Sequence, residues 1–385
     1  MKQFEKNFKI GVISQFSLND RRAMSGTHYK AVQTLKKCGG QVVWLKPNIG
    51  FSYKVCNYIC RLIHKLIYAT PLNFMFTRIA ARLLSSSIDK KQLNECDVIF
   101  ASFSSTLCYK IPLAKEIPLV YMTDAVWHSL QEYYNLGYSK YSINEGDKIE
   151  KFVLNKADIV LTASQWCKDE AVKFYSTNSD KIRVIPFGAN IDEEDIRYKP
   201  FVYEGHLDIL FLGVDWERKG GNIALEAVTY LNSKGIPATL HVVGADNMPK
   251  DKRNMNYVNF IGMLDKNNDT EREKLIDSIC RCHILLLPTL AECFGIVFCE
   301  CSAYGIPVYT HATGGIPSVV SEGVNGRMLK IGSTGKDFAK TIINDLENGK
   351  IEKMSITARE LYCKTLNWDV WGEKVSDIIN ELTKC

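Results

Sequence analysis

The stretch from residue 283 to residue 329 constrains the fold more than any other part of this 385-residue chain. It opens with an apolar run, 283–287, that is long enough for one buried strand. A loop leads to Gly295, which begins a helical pattern over 296–304, and a glycine and a proline end that pattern before a second short strand at 308–310. A strand, loop, helix and strand in this order predict one unit of a parallel sheet covered by helices.

Two carboxylates stand out in this unit, because Glu292 lies where the first strand ends and Glu300 lies about one turn into the helix. In parallel α/β sheets, ligands bind outside the carboxyl ends of the strands. The first helical amides, at Gly295, Ile296 and Val297, would have no helical partner and would suit a phosphate. A carboxylate accepts hydrogen bonds from two neighbouring sugar hydroxyls. The pattern therefore predicts a nucleotide-sugar site, and the alternative is that both glutamates are solvated surface residues.

The whole chain has the composition of a globular protein, and its length suits two domains with cores of their own. No hydrophobic segment precedes the strand pattern at 10–14, so we expect no secretory signal, and no run of about 18 apolar residues predicts a membrane span. The thirteen cysteines are scattered without a C-x-x-C pair, which favours reduced cytosolic thiols. The cysteines closest to His283 lie in apolar patterns, so we predict no metal site there.

The first quarter of the chain is strongly basic, although the net charge of the whole chain is only +5. Residues 21–88 contain no Asp or Glu and eleven Lys or Arg residues. A basic surface attracts nucleic acid, an anionic membrane or a phosphorylated substrate. We predict no nucleic-acid partner, because the span lacks regularly interleaved aromatic residues and any recognition motif.

The most distinctive part of this basic span is a helical pattern over 54–68, with a further helical pattern over 72–84. One face of the first pattern is apolar and the other is polar and basic: Val55, Ile59, Leu62, Ile63 and Leu66 against Lys54, Asn57, Arg61 and Lys65. A basic amphipathic helix can lie on an anionic membrane surface, so we expect a contact with an anionic membrane through 54–84. The alternative is a helix packed on the core with a solvated outer face.

Further candidate residues follow other predicted strands of the second half of the chain. Gly213 and Gly244 each end a strand pattern and are predicted to border the nucleotide. Arg218 and Lys219 stand at the junction from the strand ending at Gly213 to the next helix, where they could neutralise a diphosphate. The alternative for this Arg-Lys pair is an ordinary surface position.

The first half of the chain offers two more strand exits. Gly26 lies at the start of a helix after the first strand, where it could approach a phosphate or form a plain turn. Asp124 directly follows the strand pattern 119–122 in a predicted loop, 123–128, that also holds His128. No G-x-G-x-x-G and no P-loop motif occurs, which argues against dehydrogenase and P-loop nucleotidase functions.

The spacing of Glu292, seven residues and Glu300, with Phe294-Gly295 between them, resembles the signature of retaining glycosyltransferases of family 4. The segments 314–317 (GGIP) and 322–326 (EGVNG) are similar to that family's pattern as well. The resemblance implies the GT-B fold, an α/β architecture of two Rossmann-like domains facing across a cleft. It implies an N-terminal acceptor-binding domain at 1–190, a C-terminal nucleotide-sugar domain at 191–365, and a final helix at 366–385 that crosses back to the first domain.

The resemblance also assigns roles to the candidate residues. Glu300 would hold the ribose, Glu292 the donor sugar, and the amides from Phe294 to Val297 the diphosphate, together with Lys219. The family's arginine follows the strand glycine directly, and that place holds Val214, so Arg218 would substitute for it. The Gly26 loop would face the donor, and Asp124, rather than His128, would contact the transferred sugar or the acceptor.

The expected activity is retaining hexosyl transfer from a UDP- or GDP-sugar to a glycan, with a lipid-linked glycan in cell-surface polysaccharide assembly as the favoured acceptor. We expect no cofactor and no metal, because no D-x-D pair occurs. The expected location is the cytoplasm, at the inner face of the cell membrane. Two alternatives stay open: a GT-B sugar-nucleotide epimerase, and an inactive module that only binds a sugar nucleotide.

Overall fold

The computed structural model describes residues 3–5, 7–70, 72–134 and 136–383, and it divides into two compact units. Residues 1–185 and 371–385 form the first unit, and residues 186–370 form the second. In the described residues, each unit contains one parallel six-stranded sheet. This confirms the predicted α/β class with two Rossmann-like sheets.

The first unit alternates strands and helices along the chain. Its strands are β1 (Lys9–Ile13), β2 (Gln41–Trp44), β3 (Val98–Ser102), β4 (Leu119–Thr123), β5 (Ile159–Thr162) and β6 (Ile182–Val184). Its helices are α1 (Thr27–Lys37), α2 (Phe51–Tyr68), α3 (Arg78–Ser86), α4 (Lys90–Asn94), α5 (Ser105–Cys108), α6 (Trp127–Tyr134), α7 (Lys140–Lys156) and α8 (Gln165–Tyr175).

The first sheet has the order β2-β1-β3-β4-β5-β6. Strands β3, β4 and β5 are buried along their whole length, as expected for a parallel sheet that helices cover on both faces. The predicted N-cap of α8 is confirmed, since the Ser164 hydroxyl accepts a hydrogen bond from the Cys167 amide at 3.1 Å.

Two sequence-based expectations for the first unit are wrong in detail. The predicted helix over 72–84 is instead a 3₁₀ turn at Phe74–Phe76 followed by α3, because Thr77 is extended and caps α3 by accepting from the Ala80 amide at 3.2 Å. The predicted loop over 123–128 ends earlier, because α6 begins at Trp127 and includes His128.

The second unit repeats the alternation. Its strands are β7 (Leu207–Leu212), β8 (Ala238–Val243), β9 (Val258–Gly262), β10 (Ile284–Leu287), β11 (Val308–His311) and β12 (Gly326–Leu329), in the order β12-β11-β10-β7-β8-β9. Its helices are α9 (Gly221–Ser233), α10 (Lys250–Arg253), α11 (Asp269–Arg281), α12 (Ile296–Ala303), α13 (Gly335–Glu347) and α14 (Lys350–Lys364).

The last helix, α15 (Trp368–Leu382), begins in the second unit and has most of its length in the first. Within the first unit, its Trp371 ring packs edge-on against Phe100 of β3 at 6.2 Å. The side chain of Asn380 accepts a hydrogen bond from the Glu5 amide at 3.1 Å. Among the described residues, no helix is long and apolar enough to cross a membrane.

Glu150 on α7 allows a test of the packing of the first unit. Its carboxylate is buried and accepts a hydrogen bond from the Tyr121 hydroxyl at 3.1 Å. Burial raises the pKa of Glu150 to about 7, although hydrogen bonds from Ser105 and Tyr121 oppose the shift. Because the folded state holds this proton above the ordinary glutamate pKa of 4.5, the free energy of unfolding falls as pH rises from 4.5 to about 7.

We therefore expect Glu150→Gln, which is neutral at every pH, to raise the free energy of unfolding at pH 8 by roughly 1–3 kcal/mol and to change it little at pH 4. Urea denaturation at both pH values measures the difference. Glu347→Gln, at an exposed position, is the matched control and should change stability equally little at both. If Glu150→Gln changed the free energy of unfolding equally at both pH values, the raised pKa of Glu150 would be contradicted.

Candidate functional site

The predicted donor residues of the second unit gather at the carboxyl edge of its sheet. Strand β7 pairs with β10 on one side and with β8 on the other. The chain leaves β7 towards β8 and later returns to β10, so the strand order reverses between β7 and β10. In open α/β sheets the loops at such a reversal form a crevice for ligands. The loops 213–220 and 288–295 meet there.

Backbone contacts hold these two loops together. The Leu290 amide donates to the Arg218 carbonyl oxygen at 2.9 Å. The Arg218 guanidinium returns a hydrogen bond to the Ala291 carbonyl oxygen, also at 2.9 Å. Gly220 has a left-handed backbone, and a Cβ there would come within 2.1 Å of the Pro288 carbonyl oxygen. The chain can therefore close this contact only with glycine at position 220.

The closed loops bring Lys219 and Glu292 into direct contact, although the two residues are 73 positions apart in sequence. The Lys219 ammonium donates to the Glu292 carboxylate, and the side chains are only 11% and 13% exposed. Shielding from water strengthens the Coulomb attraction between the two charges, and loss of either partner would leave the other as a buried lone charge. The structure thus joins two of the predicted residues into one group.

Two predicted glycines lie in succession beside the Lys219 stem, and Gly213 is the one that contacts it. A Cβ at Gly213 would lie 3.1 Å from Lys219 Cγ, so the stem runs close along this backbone. Gly244 has φ +89°, and a Cβ there would lie 3.0 Å from the Gly213 carbonyl oxygen. Gly213 therefore borders Lys219 directly, and Gly244 borders Gly213, so a side chain at either position would crowd this edge of the sheet.

The N-terminus of α12 lies next to Glu292. Gly295 is its N-cap with φ +90°, and a Cβ there would lie 2.4 Å from the Phe298 ring and 3.2 Å from Glu292 Cγ. Since glycine has no side chain that could cap the helix, the first amides, including that of Ile296, are available as donors to an anion. Phe294 and Val297 are buried, and Phe294 packs edge-on against Phe187 at 5.2 Å, so these two residues can offer a ligand only their backbone.

Glu300 follows one turn later on α12 and is 3% exposed. Its carboxylate accepts a hydrogen bond from the Lys266 ammonium at 3.0 Å. Sequence reasoning missed Lys266, which lies in the loop between β9 and α11 and carries no motif of its own. One lysine does not use all the lone pairs of a carboxylate, so Glu300 keeps acceptor capacity for a ligand hydroxyl.

Arg218 has a structural position in this site. Its Nη1 is the atom that donates to Ala291, and its Nε lies 3.5 Å from Asp215 Oδ2. Val214, at the place where the resemblance leads one to expect an arginine, is 61% exposed. Lys219 contacts the Glu292 carboxylate, and Arg218 holds the backbone carbonyl of the preceding residue, Ala291.

The two glycine-containing segments after β11, residues 314–317 and 322–326, stabilise the backbone around the site. The Gly315 amide donates to the Glu292 carbonyl oxygen at 3.1 Å and so fixes the backbone of that residue. Asn325 is buried, and its side-chain amide donates to the Val319 carbonyl oxygen at 2.9 Å and accepts from the Ser321 amide at 2.7 Å. These segments organise the turn into β12.

The candidates of the first unit lie at the carboxyl edge of the first sheet. Gly26, with φ +93°, is the N-cap of α1, and Asp124 directly follows β4 in a half-buried position. His128 lies 3.2 Å from Asp147 Oδ2 and packs against the Phe174 ring at 4.1 Å. Sequence reasoning missed His28, whose Nδ1 lies 3.1 Å from Ser102 Oγ at the switch between β1 and β3; burial lowers the pKa of His28 to about 4.

No group of three or more His, Cys, Asp or Glu side chains suited to a metal ion occurs within the part of the chain that the structure describes. Burial raises the pKa of the Cys299 and Cys301 thiols on α12, so these thiols stay protonated.

Comparison with known proteins gives two adjoining family matches. The model for glycosyltransferase family 4 matches residues 29–193, and the model for glycosyl transferases group 1 matches residues 192–361. Among curated proteins, D-inositol 3-phosphate glycosyltransferase of Streptomyces griseus is 21% identical over 263 residues, which cover 60% of this chain and 55% of that protein. The match therefore spans about half the length of that relative.

Solved structures of other proteins share the fold over almost the whole chain. A glycosyltransferase from Rickettsia africae has a TM-score of 0.67 at 16% identity, covering 98% of this chain and 99% of that one. Anabaena Alr3699/HepE, solved in complex with UDP and glucose, has a TM-score of 0.62 at 15% identity, covering 97% and 99%. The chain belongs to the glycosyl transferases group 1 and glycosyltransferase family 4, with the two-domain GT-B fold.

Proposed function

We propose that the protein is a retaining glycosyltransferase that moves a hexose from a UDP- or GDP-sugar to a hydroxyl of a glycan. The observation that carries the proposal is the shielded Lys219–Glu292 pair beside the glycine-capped N-terminus of α12, at the strand reversal of the second sheet. A fixed cation, free amides and a carboxylate within one small crevice match the charges and hydroxyls of a sugar diphosphate. The relative solved with UDP and glucose supports a uridine donor.

Each group has a role set by its chemistry. The diphosphate lies at the N-terminus of α12, where the Ile296 amide and Lys219 donate to it. Glu300, paired with Lys266, accepts from the ribose hydroxyls, and Glu292 accepts from hydroxyls of the transferred sugar. As the bond between the sugar and the diphosphate breaks, negative charge grows on the leaving oxygen, and donors already fixed in place stabilise it.

The transfer needs no side-chain nucleophile. The bond from sugar C1 to the diphosphate oxygen breaks, and the acceptor oxygen bonds to C1 on the same face. The acceptor proton passes to the leaving phosphate, so atoms and charge balance. Glu292 is engaged with Lys219, which fits a positioning carboxylate better than a free nucleophile. Asp124 and Gly26 remain predictions for contact with the acceptor or the donor.

The proposal includes metal independence, a lipid-linked glycan as acceptor and a cytoplasmic location at the inner face of the membrane. The basic first quarter of the chain supports an acceptor with phosphate groups, since no acidic residue occurs over 21–88. An epimerase would convert its sugar nucleotide without any acceptor, and an inactive module would bind a sugar nucleotide without breaking it.

The first of three predictions from the proposed function concerns donor binding. We expect one of UDP, GDP, ADP and CMP, or its common sugar conjugates, to raise the melting temperature by roughly 5–10 °C at about 100 times Kd, because the ligand binds only the folded state. EDTA should not change this shift. Glu300→Gln should reduce it, and Glu347→Gln should leave it intact. No shift with any nucleotide would contradict the proposed donor site.

The second prediction concerns stereochemistry and uses the donor alone. With UDP-glucose, or the conjugate selected above, slow donor hydrolysis should release the sugar first as the anomer present in the donor. Proton NMR recorded before mutarotation distinguishes the two anomers. Release of the opposite anomer would exclude retention. Formation of an epimeric sugar nucleotide would favour the epimerase, and tight binding without any turnover would favour the inactive module.

The third prediction separates the chemical from the structural role of the Lys219–Glu292 pair. Lys219→Met should lower kcat for donor hydrolysis by about 10²–10³-fold, as for loss of one fixed donor to the transition state, and should also lower the melting temperature, because it leaves Glu292 buried and unpaired. The double variant Lys219→Met/Glu292→Gln should regain the melting temperature but not the rate. Lys353→Met, at an exposed position, is the control. If the double variant regained the rate as well, the pair would have only a structural role, and the proposed role in catalysis would be contradicted.

A further inference from the structure

Helix α2 has an unusual orientation, because it turns small and polar side chains towards the protein. The inward stripe comprises Tyr53, Cys56, Cys60 and His64, and His64 is the fully buried residue of this helix. The His64 ring lies 3.0 Å from the Thr70 carbonyl oxygen and 2.8 Å from the Ser139 hydroxyl. Tyr53 packs edge-on against Phe74 at 5.2 Å. These contacts fix the rotation of α2 about its axis.

Most of the remaining surface of α2 carries large apolar side chains that are about half exposed or more in the described protein. Seven of them are between 47% and 82% exposed: Phe51, Tyr58, Ile59, Leu62, Ile63, Leu66 and Ile67. Tyr68 is 45% exposed and its ring stacks on Tyr141 at 5.9 Å. The apolar face predicted from the sequence is therefore not the core-facing one, and the alternative of a helix packed on the core by that face is wrong. Exposed apolar patches of this extent mark interaction sites.

Cations lie next to this apolar surface. Lys54, Arg61 and Lys65 follow one another at helical spacing and line a groove of about 610 Å³ together with Tyr58 and Leu62. No acidic residue occurs in the sequence from 21 to 88, so nothing within that span neutralises them. The groove combines positive charge with apolar walls, which suits a phosphate attached to hydrocarbon.

We infer that α2 lies in the interface of an anionic phospholipid bilayer, with its exposed apolar side chains inserted among the acyl chains and Lys54, Arg61 and Lys65 bound to lipid phosphates. The 18-residue helix is about 27 Å long and would lie along the membrane plane. The inference rests on the proposed location at a membrane. It adds to that proposal the part of the protein that contacts the lipid, helix α2, and the way in which the helix binds.

Charge selects this partner over a second copy of the chain. Pairing two α2 surfaces would bring six cations together without an acidic residue from the span 21–88 to offset them. The phosphates of a nucleic acid would pair with the three cations, but its sugar-phosphate backbone would leave Ile59, Leu62 and Leu66 without apolar contacts. Only an anionic bilayer satisfies the charged groove and the apolar side chains together.

The test measures binding of the full-length chain to large unilamellar vesicles by sedimentation. We expect binding to phosphatidylcholine vesicles containing 30% phosphatidylglycerol and little binding to phosphatidylcholine alone. Arg61→Glu/Lys65→Glu should weaken binding by at least roughly 25-fold, since each cation near an anionic surface is worth about fivefold. Leu62→Ser/Leu66→Ser should weaken it by at least roughly 10-fold through lost insertion.

Two matched controls keep the result specific to α2. Lys36→Glu/Lys37→Glu makes the same change in net charge at exposed positions of α1, and Ile331→Ser/Ile356→Ser removes two other half-exposed apolar side chains. Neither control should weaken binding more than threefold. Leu66→Trp adds a direct reading of depth, because its fluorescence should shift to shorter wavelength only with the anionic vesicles.

The inference is overturned if the wild type does not bind the anionic vesicles, or if the α2 variants bind as well as their controls. It is also overturned if light scattering shows a dimer that Leu62→Ser/Leu66→Ser dissociates, since a second copy would then cover α2. All variants should keep the donor-induced thermal shift. Loss of vesicle binding with that shift intact would remove this inference alone and leave the proposed function standing.

Discussion

The pair of Lys219 and Glu292 is the contact on which the candidate site depends. Each side chain is nearly removed from water, and neither would be stable there as a lone charge. The pair is possible only because the loop after β7 and the loop after β10 touch, with Gly220 against Pro288 and Arg218 against Ala291. The local fold of the second unit therefore converts two separate loops into one charged crevice.

Some residues of the site hold the backbone of its loops, and others provide the hydrogen-bond donors for a ligand. Arg218 and Gly315 hold backbone groups of the 289–292 loop, while Lys219 and the first amides of α12 provide the donors that an anion needs. Glu300 gains its charge partner from Lys266, which comes from a third loop.

A typical surface helix turns its apolar face towards the core, and helix α2 turns it towards water. Its apolar side chains face water and its core contact depends on two hydrogen bonds of His64 and a few small side chains. Hydrophobic burial contributes little to holding this face, and a bilayer would supply the burial that the protein does not. The donor site and α2 belong to different units, so the two surfaces can be tested independently.

The sequence by itself determined the α/β class, the strand, loop, helix and strand that run from β10 to β11, the glycine at the start of α12 and the positions of Glu292 and Glu300, because apolar periodicity and glycine or proline breaks act over a few residues. It misplaced the break between α2 and α3, where the Thr77 cap overrides helical periodicity. Only the tertiary structure decided that Lys219 meets Glu292, that Lys266 meets Glu300, that Arg218 ties a loop and that α2 turns its apolar face outward. Strand order and packing set these contacts between residues far apart in sequence, and no local pattern encodes them.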